Sequence, residues 1–332
     1  MAASLPRVPL SVLETASVGV GLTVANVLAD SLELARHAES LGFTRFLAAE
    51  HHSVPAIAST APAVLVAAIG QATRRIRVGT GGILLQDHSP LEVAEQFSML
   101  AALFPGRVDF GIGRASSGTG PAAGSFEEQV ADLVGLLSGR PYHGLIAMPV
   151  YLGRPALWML GSSENGAALA ARLGFPFAFA HHFKPENTVG ALARYRREFR
   201  PSEVLDKPYA AVAVQAVCGE DDEHGAYLAG PLALGFVQAR TGGPLRVLSS
   251  FDDAASFRWG PEESKLRDHV FSTQAIGGPD TVRRQLGEIV SASGADELIL
   301  STVLPDGAEA RASVTRVREL FGDAAIPLGL AL

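Results

Sequence analysis

Short apolar runs alternate with longer stretches whose apolar residues recur at helical spacing, and this alternation persists along the chain. The first apolar run, 8–13, predicts a strand. It is followed by a glycine-containing loop and a helix over 28–40, with Leu32, Leu34, Ala35 and Ala38 on one face and Gly42 as its C-cap. A strand at 43–49 precedes a helix at 61–72 with Pro62 near its start. A strand at 76–80 precedes a helix that Ser89-Pro90 opens and Pro105-Gly106 ends, and a strand at 108–112 precedes a helix at 126–137. Residues 140–155 read as irregular, with a small hairpin. Strands at 157–160 and 176–180 then pair with helices at 164–173 and 185–199, and a strand at 210–217 follows. A final strand at 296–302 and helix at 308–321 close the pattern.

Eight strands in such a rhythm imply a parallel sheet covered by helices. Right-handed crossovers permit an open doubly wound sheet or a closed barrel. The number of units favours an α/β fold of the (β/α)8 TIM-barrel type, one domain over 1–332. No Gly-x-Gly-x-x-Gly follows the first strand, which argues against a Rossmann domain. Residues 220–272 break the rhythm after strand seven and include Arg240-Thr241-Gly242-Gly243-Pro244. They are read as an insertion containing helical pieces, either a lid or an ordinary surface excursion.

The chain has 332 residues, 48% hydrophobic and 18% charged, which excludes a disordered protein. Its net charge of −7, without a run of Lys or Arg, argues against nucleic acid as a partner. The single cysteine, Cys218, has no partner for a disulfide and reads as a small buried residue. No apolar run is long enough for a membrane span, and the N-terminus lacks a signal-like pattern. A cytoplasmic protein with no membrane partner is expected.

In a (β/α)8 barrel, catalytic residues stand at the C-terminal ends of the strands. Strand two ends in Glu50-His51-His52, strand three in Gly81-Gly82, strand four in Gly113-Arg114, strand five in Gly161-Ser162-Ser163, and strand six in His181-His182. A histidine there suits acid–base work or hydrogen bonding to a ligand, the alternative being a ring satisfied by a backbone carbonyl. Adjacent histidines on a strand point to opposite sides, and neither HExxH nor a cysteine cluster is present, so no metal is expected. Two glycines at a strand end admit close approach of a flat ligand or simply bend the rim. Gly161-Ser162-Ser163 leads into a helix whose N-terminus can hold an anion, or the serine is only an N-cap. Arg114 could add a bidentate fork to a phosphate.

These residues sit in stretches that resemble the bacterial-luciferase-like flavin monooxygenases, in particular their single-component "group 1" oxidoreductase branch. The matching segments are ESLGFTRFLAAEHH, TRRIRVGTGGILLQDHSPLEVAEQFSMLAALFPGRVDFGIGRA, LWMLGSSENGAALAARLGFPFAFAHHF and GGPDTVRRQLGEI, and the likeness covers nearly the whole chain. The resemblance implies a barrel that binds reduced FMN supplied by a separate NAD(P)H:flavin reductase. It further implies a flavin C4a-hydroperoxide, formed with O2, that oxygenates a small and apolar organic substrate. His51 matches the catalytic histidine. Gly81 and Gly82 match a pair joined by a cis peptide beneath the flavin ring, and Arg114, Ser162 and Ser163 match phosphate contacts. Gly161, Glu50, His52, Gln96 and His182 are carried with them as cofactor, substrate or supporting positions. Relatives are commonly homodimers through helices two and three. The link 116–125 departs from the pattern: it is short, small and uncharged, which leaves Arg114 as the single charge expected on the phosphate. A deazaflavin-dependent reductase or dehydrogenase on the same barrel, and a non-catalytic flavin-binding protein, are the alternatives.

Overall fold

Eight parallel strands close on themselves. The computed structural model describes residues 5, 7–118, 124–150, 153 and 155–322. The barrel strands are β1 (Leu10–Glu14), β2 (Arg45–Ala48), β3 (Arg77–Thr80), β5 (Val108–Gly113), β6 (Ala156–Gly161), β7 (Phe177–Ala180), β8 (Ala210–Cys218) and β10 (Glu297–Ser301). They lie side by side in chain order, and β10 pairs with both β8 and β1, as in Leu300↔Val214 and Leu10↔Leu298. The protein is thus a (β/α)8 TIM barrel. Two short strands lie outside it: β4 (Ile83–Leu84) pairs with β5, and β9 (Ala275–Gly277) pairs in parallel with the end of β8.

The helices between strands are α1 (Val24–Ser40), α2 (Pro62–Ala72), α3 (Pro90–Leu103), α4 (Phe126–Leu136), α5 (Glu164–Leu173) and α6 (Thr188–Glu198). Local sequence explains their ends. Ser125 and Glu128 close a capping box on α4, Ser163 caps α5, and Gly174 ends α5 at φ 67°, a conformation glycine adopts without steric cost. The helices bury their apolar faces on the barrel. Phe97 of α3 stacks on Phe110 of β5 with ring centroids 3.8 Å apart, and Tyr195 of α6 lies 5.6 Å from Phe177 of β7.

At the N-terminal ends of the strands the barrel holds a buried ion-pair network. Arg45 Nε and Nη2 donate to Glu297 at 2.7 and 2.9 Å, and its Nη1 donates to Asp109 at 2.8 Å. Arg77 binds Asp109 with two further donors, and Ser11 and Tyr209 donate to Glu297. Two guanidinium groups thus balance two carboxylates, and each carboxylate keeps several donors. The Arg45 guanidinium also lies 4.5 Å from the Trp158 ring.

The last third forms the helical pieces expected in 220–272 and adds one helix beyond them. The 220–272 segment is α7 (Asp222–Arg240), α8 (Phe251–Ala255) and α9 (Pro261–Thr273), and a further helix, α10 (Pro279–Ser293), provides the crossover to β10. Pro231 and three glycines interrupt the apolar stripe of α7, although Asp221 caps its start. α10 has no side-chain cap hydrogen bond and begins at Gly278-Pro279. α11 (Gly307–Glu319) closes the ring of helices. Among the described residues of 140–155 the hairpin reduces to one Tyr142↔Leu145 bridge. Among the described residues, no helix is long and apolar enough to cross a membrane.

Candidate active site

The C-terminal strand ends enclose two cavities that share Leu13, His51, Gly81, His182 and Phe183. The larger, about 1300 Å³, takes in Glu50, His52, Gly82, Gly161, Ser162, Ser163 and Arg114. The smaller, about 830 Å³, extends beneath α7, α8 and α9 and is mostly apolar. The C-terminal ends of five strands therefore bring most of the expected residues to one place. Gln96 is the exception: it is exposed on α3 and lines neither cavity.

Glu50 is buried just beyond β2 and accepts three hydrogen bonds. His52 Nε2 and His88 Nε2 meet its Oε1 at 2.7 and 2.6 Å, and the Leu84 N–H meets its Oε2 at 2.8 Å. Burial alone would raise its pKa, but the bonds from His88, Leu84 and His52 outweigh it and hold the carboxyl below the usual range. The bond to Glu50 in turn raises His88 above the ordinary imidazole value, against the effect of burial. Glu50 thus ties the segment after Gly81-Gly82 to the end of β2. The ligand atoms of Glu50, His52 and His88 lie within 4.8 Å of one another, and a cation held there would displace both imidazole hydrogen bonds.

The Gly81–Gly82 peptide is cis. A Cβ at Gly81 would come within 2.5 Å of Leu13 Cδ1, and one at Gly82 within 2.9 Å of the Gly111 carbonyl oxygen. Backbone stands opposite Gly82 and only the end of the Leu13 side chain opposite Gly81, and the two glycines leave the rim flat.

His51 is lowered below the ordinary histidine value, chiefly by burial, with Glu50 working against it. Its Nδ1 is buried without a hydrogen-bond partner among the described residues. His182 is pushed down to about 4 by burial. Its Nδ1 lies 3.0 Å from the Ala213 carbonyl, which can only accept, so the proton sits on Nδ1 and Nε2 is a bare acceptor. Both rings are therefore neutral near pH 7. His181 is buried and structural: Nδ1 meets Thr188 Oγ1 at 2.7 Å and Nε2 donates to the Thr273 carbonyl at 2.8 Å, which joins β7 to α6 and α9.

At the far end of the larger cavity, Ser163 Oγ is taken by the Gly166 N–H as an N-cap, and Ser162 lies beside it. Arg114 is exposed and has no ion pair among the described residues. It is not the single cation there. Arg172 of α5 and Arg194 of α6 line the same cavity, each held by a carboxylate: Arg172 by Glu127 at 3.1 Å and Arg194 by Glu198 at 2.9 Å. No sequence signal marks these helix residues; the fold brings them in. The link 116–125 is anchored where it starts, because Asp87 accepts from Ser116 Oγ and, at 2.6 Å, from the Ser117 N–H. Residues 119–123 lie outside the described residues. Gln215 of β8, beside the smaller cavity, and His88, before α3, also escaped the sequence reading. His88 stands in the loop after a strand, so its position alone could have flagged it.

A flat glycine rim, an unspent imidazole nitrogen and cations at the opposite end fit a phosphate-bearing planar cofactor. The fold is a (β/α)8 barrel of the luciferase-like type. The chain belongs to the luciferase-like monooxygenase family, whose model matches residues 8–297. It is 39% identical over 305 residues to the uncharacterized protein YvbT of Bacillus subtilis (strain 168), covering 88% of this chain and 90% of that one. The crystal structure of apo-MsnO8 superposes with a TM-score of 0.88 at 35% identity, over 95% of this chain and 98% of that chain. The N-acetyl-S-alkylcysteine monooxygenase of Bacillus subtilis (strain 168) is 36% identical over 206 residues, 57% of this chain and 61% of its own.

Proposed function

We propose that the protein is an FMN-dependent monooxygenase that oxygenates a small, largely apolar organic molecule. The observation that carries this reading is the junction of the two cavities at His51, Gly81 and His182: a cofactor in the larger meets a substrate in the smaller. Reduced flavin, when bound, supplies the two electrons with which O2 delivers one oxygen atom to substrate and one to water. Gly81 and Gly82 leave room for its ring, and Arg114, Arg172, Arg194 and Ser162 hold its phosphate. His51 donates or accepts one proton beside the reacting centre. His182 offers Nε2 as an acceptor to a substrate or flavin N–H or O–H group. Helices α7–α9 act as a lid that excludes water.

The similarity to an N-acetyl-S-alkylcysteine monooxygenase makes thioethers the first substrate class to screen. A separate flavin reductase supplies the reduced cofactor. The protein works as a homodimer through α2 and α3, where Val64, Met99 and Leu103 are exposed at 72%, 55% and 60%, and light scattering checks this.

The test is anaerobic titration with reduced FMN, followed by reductase-coupled O2 uptake with candidate substrates. Saturable binding and substrate-dependent uptake are expected. His51→Ala should lower kcat by about 10²–10⁴-fold while flavin binding persists. Unchanged turnover in that variant removes His51 from its role. One observation favours a deazaflavin-dependent reductase instead. Arg172 and Arg194 add basic groups that an anionic deazaflavin tail requires. Tight deazaflavin binding with no FMN binding decides for that reading.

A further inference from the structure

The smaller cavity is walled mainly by apolar side chains, among them Leu13, Ile57, Leu234, Phe236, Val247 and Leu248. Its polar lining includes His269, Thr273 and Gln274 near the α9 end, and two further sets that matter here. His51, His182 and Gln215 come from the strand ends. Arg240 and Arg246 come from the last turn of α7 and the chain beyond it. Neither guanidinium has an ion pair with a described carboxylate. Arg240 lies over the Phe236 ring at 4.6 Å, and Arg246 has no partner among the described residues.

Arg240 has a local reason for its place, since a helix C-terminus favours a cation. Arg246 has none. Its segment is nevertheless fixed, because Leu248 N donates to the Val18 carbonyl at 2.8 Å and Val20 N donates to the Leu248 carbonyl at 2.9 Å. Backbone pairing two residues away thus sets Arg246 at the exposed rim of the apolar cavity. One carboxylate, Asp253, also lines it, and its position in the first turn of α8 suits a negative charge without any ligand. The wall carries two permanent positive charges and one negative.

We propose that this cavity takes an apolar molecule bearing a terminal carboxylate, whose acid group pairs with Arg246 and Arg240 while its apolar body reaches toward His51 and His182. The volume of about 830 Å³ suits an organic ligand of ordinary size. An alcohol of the same length buries the same apolar surface but lacks the charge-assisted hydrogen bonds, and an amine meets two cations. That such a ligand is the substrate rests on the oxygenase reading; that it binds does not.

The test is calorimetric titration of the flavin-free protein with decanoate, decan-1-ol and decylamine. Decanoate should bind about tenfold or more tighter than the alcohol, with the amine weakest. Arg246→Gln should remove most of that preference, and Arg246→Lys should restore part of it. Gly235→Leu, whose new side chain enters the cavity, should weaken all three probes. Equal binding of acid and alcohol, an unchanged preference in Arg246→Gln, or wild-type decanoate affinity in Gly235→Leu each overturns the proposal. Reduced-FMN titration of the same preparation separates the two readings. Lost flavin binding with the acid preference intact removes the oxygenase and leaves the acid site standing.

Discussion

Glu50 shows how one buried charge can organise a site. Its carboxylate holds two imidazoles and the backbone of Leu84, so it ties the chain that follows Gly81-Gly82 to the end of β2. Glu50→Gln should lower stability by about 1–3 kcal/mol and drop the His88 pKa, read by denaturant unfolding and by NMR titration. An unmoved His88 titration contradicts the coupling. His182 gives a second prediction at this scale. Its folded value of about 4 lies below the ordinary 6.5, so between these values the unfolded chain binds more protons. This contribution is present above pH 6.5 and is lost as pH falls toward 4. His182→Asn should flatten the acid limb of the stability profile. A limb as steep as the wild type's would assign it to other groups. Much of this residue chemistry was legible in the sequence, because Glu-His-His and His-His stand at strand ends. Which ring is structural was not: His181 and His182 are adjacent, yet only contacts with Thr188, Thr273 and Ala213 tell them apart.

At the scale of elements, β3 and its continuation set the rim. Gly81 faces the flexible end of Leu13, whereas Gly82 faces the backbone at Gly111 and Ile112. A side chain can yield and a barrel strand cannot. Gly82→Ala should therefore cost more than Gly81→Ala, within the roughly 1–3 kcal/mol typical of overpacking, and should weaken flavin binding more. Thermal melts and flavin titration measure the difference, and the reverse order would contradict this packing. The helices with clean apolar stripes and caps were readable from the chain, as in α1 and α5. α7 was not, because Pro231 and its glycines break the stripe that periodicity depends on, while contacts with the barrel and α9 sustain the helix.

At the scale of the whole molecule, the barrel separates its tasks. The strand N-terminal ends hold Arg45, Arg77, Asp109 and Glu297, and the C-terminal ends hold the cavities. Removing one member of a buried ion network strands the others without water. Arg45→Met should cost about 3–5 kcal/mol while leaving flavin affinity in the folded protein near wild type. Chemical unfolding and titration check both halves, and a stability loss under about 1 kcal/mol would count against the network, since that is the range of exposed pairs.

The sequence by itself determined the barrel. Alternating strand and helix periods admit few topologies, and eight units close the sheet. It also placed the histidines and glycines at the mouth, because strand ends are local features. Only the tertiary structure decided which groups share a cavity. Arg172, Arg194 and Arg246 lie on helices or beyond them, far along the chain from Gly81 and His51, and they meet the site because closure brings distant helices over one rim. Gln96 went the other way. Its place beside an expected motif said nothing about which face of α3 it occupies, and helix rotation against the barrel put it in solvent. Periodicity is a short-range property of the chain, whereas a cavity is made by the packing of residues that the chain keeps apart.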